Sequence, residues 1–263
     1  MSVFRDSATI ARRNMIRIRR VPDVMAFVVV QPIMFVLLFA YVFGGSIDIP
    51  GGNYREFLMA GIFSQTVVFG ATFTGAGLAE DMQKGLINRF RSLPMSRSAV
   101  VAGRTVSDVV YNALSIVVMS LAGLAVGWRI RGSVVDAIVA YVLLLFFAYS
   151  FSWVMACIGL LVPTPEVVNN ATFVVLFPLT FIANTFVPSD NLPGALQTFA
   201  EWNPVSTLTQ AVREGFGNLP AGTPEPSAWP LQNATLYTLL WAFVLIGVFA
   251  PIATRLYQRA GAR

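Results

Sequence analysis

Apolar runs long enough to cross a bilayer recur along this 263-residue chain, and they limit its fold more than any other feature. A spanning helix needs roughly 20 mostly apolar residues to cross about 30 Å of hydrocarbon. Residues 24–43 meet that length, interrupted only by Gln31 and Pro32. Further runs fall at 57–79, 106–127, 135–161, 171–187 and 236–254, the fifth being short and broken by Pro178. The chain is 56% hydrophobic and 12% charged, against about 25% charged in a typical soluble domain. Too few solvating groups exist to cover a water-soluble globule, so lipid must bathe most of the surface. The expected fold class is all-α: a polytopic membrane protein with six transmembrane helices in a single transmembrane domain over 1–263.

Orientation follows from where Lys and Arg fall. Six lie before the first run, five between the second and third, and three after the sixth, which places 14 of the 18 on one side. Only Arg55, Arg129, Arg131 and Arg213 lie on the other. The basic side is expected to be cytoplasmic, with both termini there and the localisation a bacterial cytoplasmic membrane. The Arg129 and Arg131 pair breaks the rule locally.

Three segments outside the spans carry pattern. Within 1–20, Val3, Phe4, Ala8, Ile10, Ala11, Met15 and Ile18 share one arc of a helical wheel, opposite six Arg, with Ile16 misplaced. That pattern reads as an interfacial helix in the headgroup plane, the alternative being a plain basic flank. In the cytoplasmic loop 80–98, Met82, Leu86, Phe90 and Leu93 form one apolar stripe among Glu80, Asp81, Lys84, Arg89 and Arg91, and Pro94 ends it. Glu80 and Asp81 are expected to open this short helix, favoured by its N-terminal dipole. The stripe is either a solvated connector or a docking face for a cytosolic partner. The Pro-rich segment 188–232 is too long for an ordinary connector. Its two apolar faces, Leu192, Leu196 and Phe199, then Val205, Leu208, Val212 and Phe216, are separated by a break at Asn203 and Pro204. Two short helices on the outer side fit this, packed against the spans and either re-entrant, dipping into the outer leaflet and returning, or lying on its surface, with Trp202 and Trp229 at the interface.

Catalytic materials are missing. The chain holds no His and no phosphate-binding Gly-rich motif, and its single Cys157 supports neither a disulfide nor a thiolate metal site. Catalytic residues and metal ligands are therefore expected to be none. Acidic residues, Asp108 among them, are placed at loop and helix ends, so no ion-coupling carboxylate is expected at mid-depth. The basic residues cluster in sequence in a way that suggests membrane sorting, and nucleic acid is not an expected partner. A chain built to move something without its own energy site must borrow energy, and the amphipathic cytoplasmic loop is the contact available.

At residues 55–104, REFLMAGIFSQTVVFGATFTGAGLAEDMQKGLINRFRSLPMSRSAVVAGR, the sequence resembles the ABC-2 type permease family. Gly61, Asp81, Gly85, Arg89, Leu93, Pro94, Arg97, Gly103 and Arg104 carry the likeness, and WNPVSTLTQAVREGF at 202–216 is similar to the family's stretch before its last span. Within the family it looks most like the daunorubicin-resistance drug-exporter type. The resemblance implies a permease subunit that forms a homodimer or heterodimer and binds a separate ATPase on the cytoplasmic side. Cofactors would be none on this chain, with ATP and Mg on the ATPase. The loop between spans two and three would couple to that ATPase, Gly85 permitting close approach. Spans one and five would line the dimer and the substrate route, giving Phe27, Gln31, Phe35, Phe39, Phe177, Phe181 and Asn184 a candidate role. The aliphatic, Phe-rich spans tilt the cargo toward a hydrophobic drug or lipid. The rival reading is a non-pumping channel or assembly component.

Overall fold

The computed structural model describes residues 7, 9–11, 13–14, 22–43, 53–86, 97–186, 188–189, 192–219, 222 and 225–260, without the side chains of 22–28, 97–98 and 260. All regular structure among them is helical. Four helical stretches are long and apolar enough to cross a membrane: Tyr54–Gln83, Ala99–Ala125, Val134–Leu161 and Ala234–Arg259.

The first helix, α1 (Pro22–Leu38), carries Pro32 internally and passes into a π-helical turn at Phe39–Phe43. The second apolar run forms α2 (Tyr54–Gly70) and α3 (Thr72–Gln83), joined through Ala71. Asn53 starts α2 by accepting the Arg55 N–H, which satisfies one of the donors every helix start leaves open. The helix α4 (Arg97–Ala125) begins well before the apolar run at 106, because Arg and Ser cost little helix propensity and hydropathy marks only the lipid-facing part. Asp108 is thereby corrected: it lies within a helix, 2% exposed, rather than at an end. Ser133 caps α5 (Val134–Leu161) through the Asp136 N–H.

The helix α6 (Pro165–Phe181) starts before the run expected from 171 and stops short of 187. Thr164 accepts the Val167 N–H, and Pro165 occupies the first turn, where a missing N–H costs nothing. Beyond α6 stand α7 (Gly194–Trp202), α8 (Pro204–Phe216), the single turn α9 (Trp229–Gln232) and α10 (Ala234–Ala260).

The hub is α5, which packs against α2, α3, α4, α6, α8 and α10. Glycine sets its closest approach: a Cβ on Gly159 would lie 2.2 Å from the Gly75 carbonyl oxygen, so the α3 and α5 backbones touch as small residues permit in membrane bundles. Around α8 the core is aromatic, with Phe63 within 6.1 Å, centroid to centroid, of Trp128, Tyr141 and Phe216. The apolar face of α8 read from the sequence, Val205, Leu208, Val212 and Phe216, is fully buried. Its counterpart on α7 is not, since Leu196 and Phe199 are exposed.

At this end of the bundle the four cations outside the basic set find specific partners. Arg131 forms an ion pair with Glu56 at 2.8 Å, and Arg55 donates to the Val126 carbonyl. Arg129 donates to the Leu124 carbonyl, capping the end of α4. The Arg129 and Arg131 pair thus serves local structure.

Candidate functional site

At the end of the molecule opposite Arg131, a polar plate joins three elements. Asp81 is 3% exposed in the last turn of α3, where a carboxylate meets the negative end of the helix dipole. Two guanidiniums offset this: Arg13 at 3.2 Å and Arg104 at 3.8 Å. Arg104 also donates to the Asn14 side chain and the Phe73 carbonyl, and Asn14 donates to Ser107. Asp108 accepts a hydrogen bond from the Thr74 hydroxyl. Close packing fixes the arrangement: a Cβ on Gly77 would strike the Arg104 guanidinium, and one on Gly103 would lie 2.6 Å from the Ser7 carbonyl oxygen. Ile10 and Ala11, two residues of the apolar arc, are buried beside it and dock on the bundle.

Glu80 and Asp81 therefore close α3 rather than open a new helix, a correction to the sequence expectation. Lys84 answers Glu80 at 2.6 Å. Gly85 has a φ of 67°, the left-handed conformation that ends a helix at low cost only in glycine, so its role here is termination. Met82 is half-buried against the core and Leu86 half-exposed just beyond. Arg89, Phe90, Arg91 and Pro94 lie outside the described residues.

Beside the plate, a mouth of about 200 Å³ lined by Glu80, Arg104 and Asp108 shares Phe73 and Ala76 with a larger groove of about 520 Å³. That groove runs between α1 and α6 on a floor of α2 and α3. Gln31 and Pro32 come from α1, Ser115 from α4, and Asn169, Thr172 and Phe173 from α6. Of the residues expected on a route between spans one and five, Gln31 lines it directly. Phe35, Phe39, Phe177 and Phe181 extend it as a chain of aromatic contacts, stacked except for the tilted Phe181 and Phe186 pair: Phe173 to Phe177 at 5.1 Å, Phe177 to Phe181 at 4.1 Å, Phe181 to Phe186 at 5.2 Å, Phe186 to Phe39 at 4.5 Å and Phe39 to Phe35 at 5.8 Å. Phe27 belongs to α1, and its side chain lies outside the described residues.

Asn184 stands apart from the groove. It is buried in a clamp around Arg213, which is 0% exposed. Arg213 donates Nη1 to Asn184 Oδ1 at 2.8 Å, Nη2 to the Asn184 and Thr185 carbonyls at 2.6 and 3.1 Å, and Nε to the Phe57 carbonyl at 3.0 Å. Its guanidinium lies 3.5 Å from the Phe57 ring centroid. The break residue Asn203 joins the clamp, donating to the Leu179 and Ile182 carbonyls while capping α8. Gly61 seats the same turn, since a Cβ there would be 1.9 Å from the Thr185 carbonyl oxygen. Asn203 and Pro204 thus bind the end of α6 to the start of α8.

Sequence reasoning missed the partners of Asp81 and the burial of Arg213. Gly103 and Arg104 stood in the sequence only as spaced motif positions, and the structure joins them to Asp81 in the plate.

Residues 6–216 match the family ABC-2 type transporter. The chain is 33% identical to the daunorubicin resistance ABC transporter permease protein DrrB1 of Streptomyces coeruleorubidus, over 97% of this chain and 88% of that protein. It is 23% identical to a putative transport permease ycf38 of Cyanophora paradoxa, over 90% and 80%. It is 21% identical to a probable doxorubicin resistance ABC transporter permease protein DrrC of Mycobacterium tuberculosis, over 88% and 80%. The chain belongs to the ABC-2 type transporter family.

Proposed function

We propose that this chain is the permease half of an exporter, powered by a separate ATPase subunit on its cytoplasmic side, that moves a hydrophobic drug or lipid outward. Two copies, or one copy and a similar permease, enclose the route. The observation that carries this reading is adjacency: the charged plate at the end of α3, where the coupling loop begins, shares walls with a groove large enough for a drug-sized ligand. Force applied at one reaches the other through a single helix. The daunorubicin and doxorubicin resistance for which two relatives are named favours a hydrophobic cargo.

In this reading α1 with its π turn and α6 are the first and fifth of six spans, and α7 and α8 are the re-entrant pair. Both termini are cytoplasmic, and residues 80–98 seat in the ATPase with Phe90 as anchor. ATP and Mg bind the ATPase alone. Co-purification with an ATPase encoded beside this gene, followed by hydrolysis assays with added cargo, tests it. Expected are a stable complex and hydrolysis that rises with cargo. A chain that purifies alone and passes solute without ATP supports the channel reading instead.

A further inference from the structure

Polar side chains in these helices are either bonded or unbonded, and the groove gathers several of the unbonded ones, with Gln65 and Trp153 each leaving a buried atom outside it unpartnered among the described residues. Elsewhere, hydroxyls are mostly spent on their own helix. Ser64 donates to the Ala60 carbonyl at 2.9 Å, Ser107 to Gly103 at 2.7 Å, Ser120 to Ile116 at 2.8 Å, Thr180 to Leu176 at 2.7 Å and Thr254 to Ala250 at 2.8 Å. Such back-bonding is the ordinary way a hydroxyl is satisfied where water is scarce.

In the groove, Gln31, Thr66, Thr72, Ser115, Asn169 and Thr172 make no side-chain hydrogen bond with any described residue. The Thr72 and Thr172 hydroxyl oxygens are buried without a partner, and Thr172 as a residue is only 3% exposed. An unbonded polar group in apolar surroundings is costly; Gln31 and Asn169 are exposed at the rim, and the two buried threonine hydroxyls mark a place where the partners arrive with a ligand. The rest of the wall is apolar, with Phe69, Phe73 and Phe173 offering flat faces. Among the described residues, the lining holds no charge. Nearby charges in the mouth are engaged: Arg104 by Asp81, Asn14 and the Phe73 carbonyl, Glu80 by Lys84, Asp108 by Thr74.

We infer that the groove selects amphiphiles whose polar atoms are uncharged hydrogen-bonding groups, such as hydroxyl, ether, carbonyl or amide on a flat ring body, and disfavours ammonium or anionic groups in the same place. A buried charge needs a counter-charge or several oriented dipoles, whereas neutral donors and acceptors satisfy the free side chains of the lining and are satisfied by them. This rests on the proposed transport route and adds a substrate class to it.

The test uses the full chain in lipid nanodiscs and three probes sharing one anthraquinone body: a neutral glucoside, a quaternary ammonium and a sulfonate. Equilibrium binding is measured after subtracting binding to empty discs. The expected result is that the glucoside binds at least about tenfold more tightly than either charged probe, the factor a pair of modest hydrogen bonds supplies. Thr72→Val with Thr172→Val erases that preference while leaving the charged probes and the melting midpoint unchanged. Asn169→Trp, which plugs the groove from an exposed wall position, removes binding of all three. If the plug removes binding but the ammonium probe is preferred, held over the phenylalanine faces, the selectivity inference is overturned and the route stands. The selectivity inference is equally overturned if the double valine variant keeps the glucoside preference. If the plug changes nothing for any probe, the groove is not the route, and both readings fall.

Discussion

Arg213 offers the sharpest test of how the Arg131 end of the bundle is held, because every polar contact it makes is to a neutral acceptor. In Arg213→Met the side-chain length is kept and the donors vanish. The Phe57, Asn184 and Thr185 carbonyls and Asn184 Oδ1 lose their bonds to it. At a middle value of ~1.5 kcal/mol for a buried acceptor left without a donor, the loss comes to about 6 kcal/mol. Against this stands relief from burying a guanidinium that has no carboxylate in contact among the described residues, worth a few kcal/mol. A net destabilisation of about 3 kcal/mol remains, or a fall in melting midpoint of about 6 to 12 °C for a domain of this size. The assay is built into the chain. Cys157 is its single cysteine and is buried, so a thiol-reactive fluorophore reports unfolding during a fixed-rate temperature ramp in detergent. Arg213→Lys keeps the charge but loses the planar fork, and its midpoint should fall as well. A Met variant melting at or above wild type would refute the reasoning, because desolvation of the guanidinium would then outweigh four satisfied acceptors.

Further outcomes follow from other contacts. Gly159→Val should prevent folding, since its Cβ meets the Gly75 carbonyl, whereas Gly247→Ala meets nothing within 4 Å; size-exclusion profiles at equal expression separate the two. Asp81→Asn weakens both guanidinium contacts, so Ile10→Cys in a Cys157→Ser background should label several-fold faster with a maleimide than it does with Asp81 intact. Phe90→Ala should insert normally yet lose ATPase recruitment, as truncating an interface anchor typically costs more than about 1 kcal/mol; a normal pull-down at wild-type expression removes this loop from the coupling role. A fluorescent protein fused after Arg263 should be bright and a phosphatase there inactive, and the opposite pattern overturns the orientation drawn from the basic residues.

The helices were legible wherever periodicity or hydropathy was strong, and less so at their ends. Val134–Leu161 begins within a residue of the apolar run because Ser133 and Asp136 cap it where hydropathy changes. Arg97–Ala125 and Pro165–Phe181 extend past or shift from their runs because helix continuity is set by capping and propensity, to which hydropathy is blind. The buried face of α8 was visible as a stripe. Its buried Arg213 was not, since a sequence counts that residue only as a charge on a side of the membrane. Likewise Glu80 and Asp81 looked like a helix start from composition. Asp81 is held at a helix end by Arg13 and Arg104, partners outside its own helix.

The two ends of α6 are held by different means. Past its C-terminal end, the turn at 182–186 is stitched to α8 and α2 by directional bonds from Arg213 and Asn203. Its other half, among the described residues, rests on apolar contact alone, with Val168 and Leu176 pressed to the core and Phe173 and Val174 facing outward. Directional bonds resist sliding and twisting, whereas apolar contact resists separation but slips. The helix is thus mounted like a tuning-fork tine, rigid at its root and compliant toward the plate. A tine sways most at its tip, so thermal excursions should widen the groove first at the charged mouth, while the far closure holds its shape.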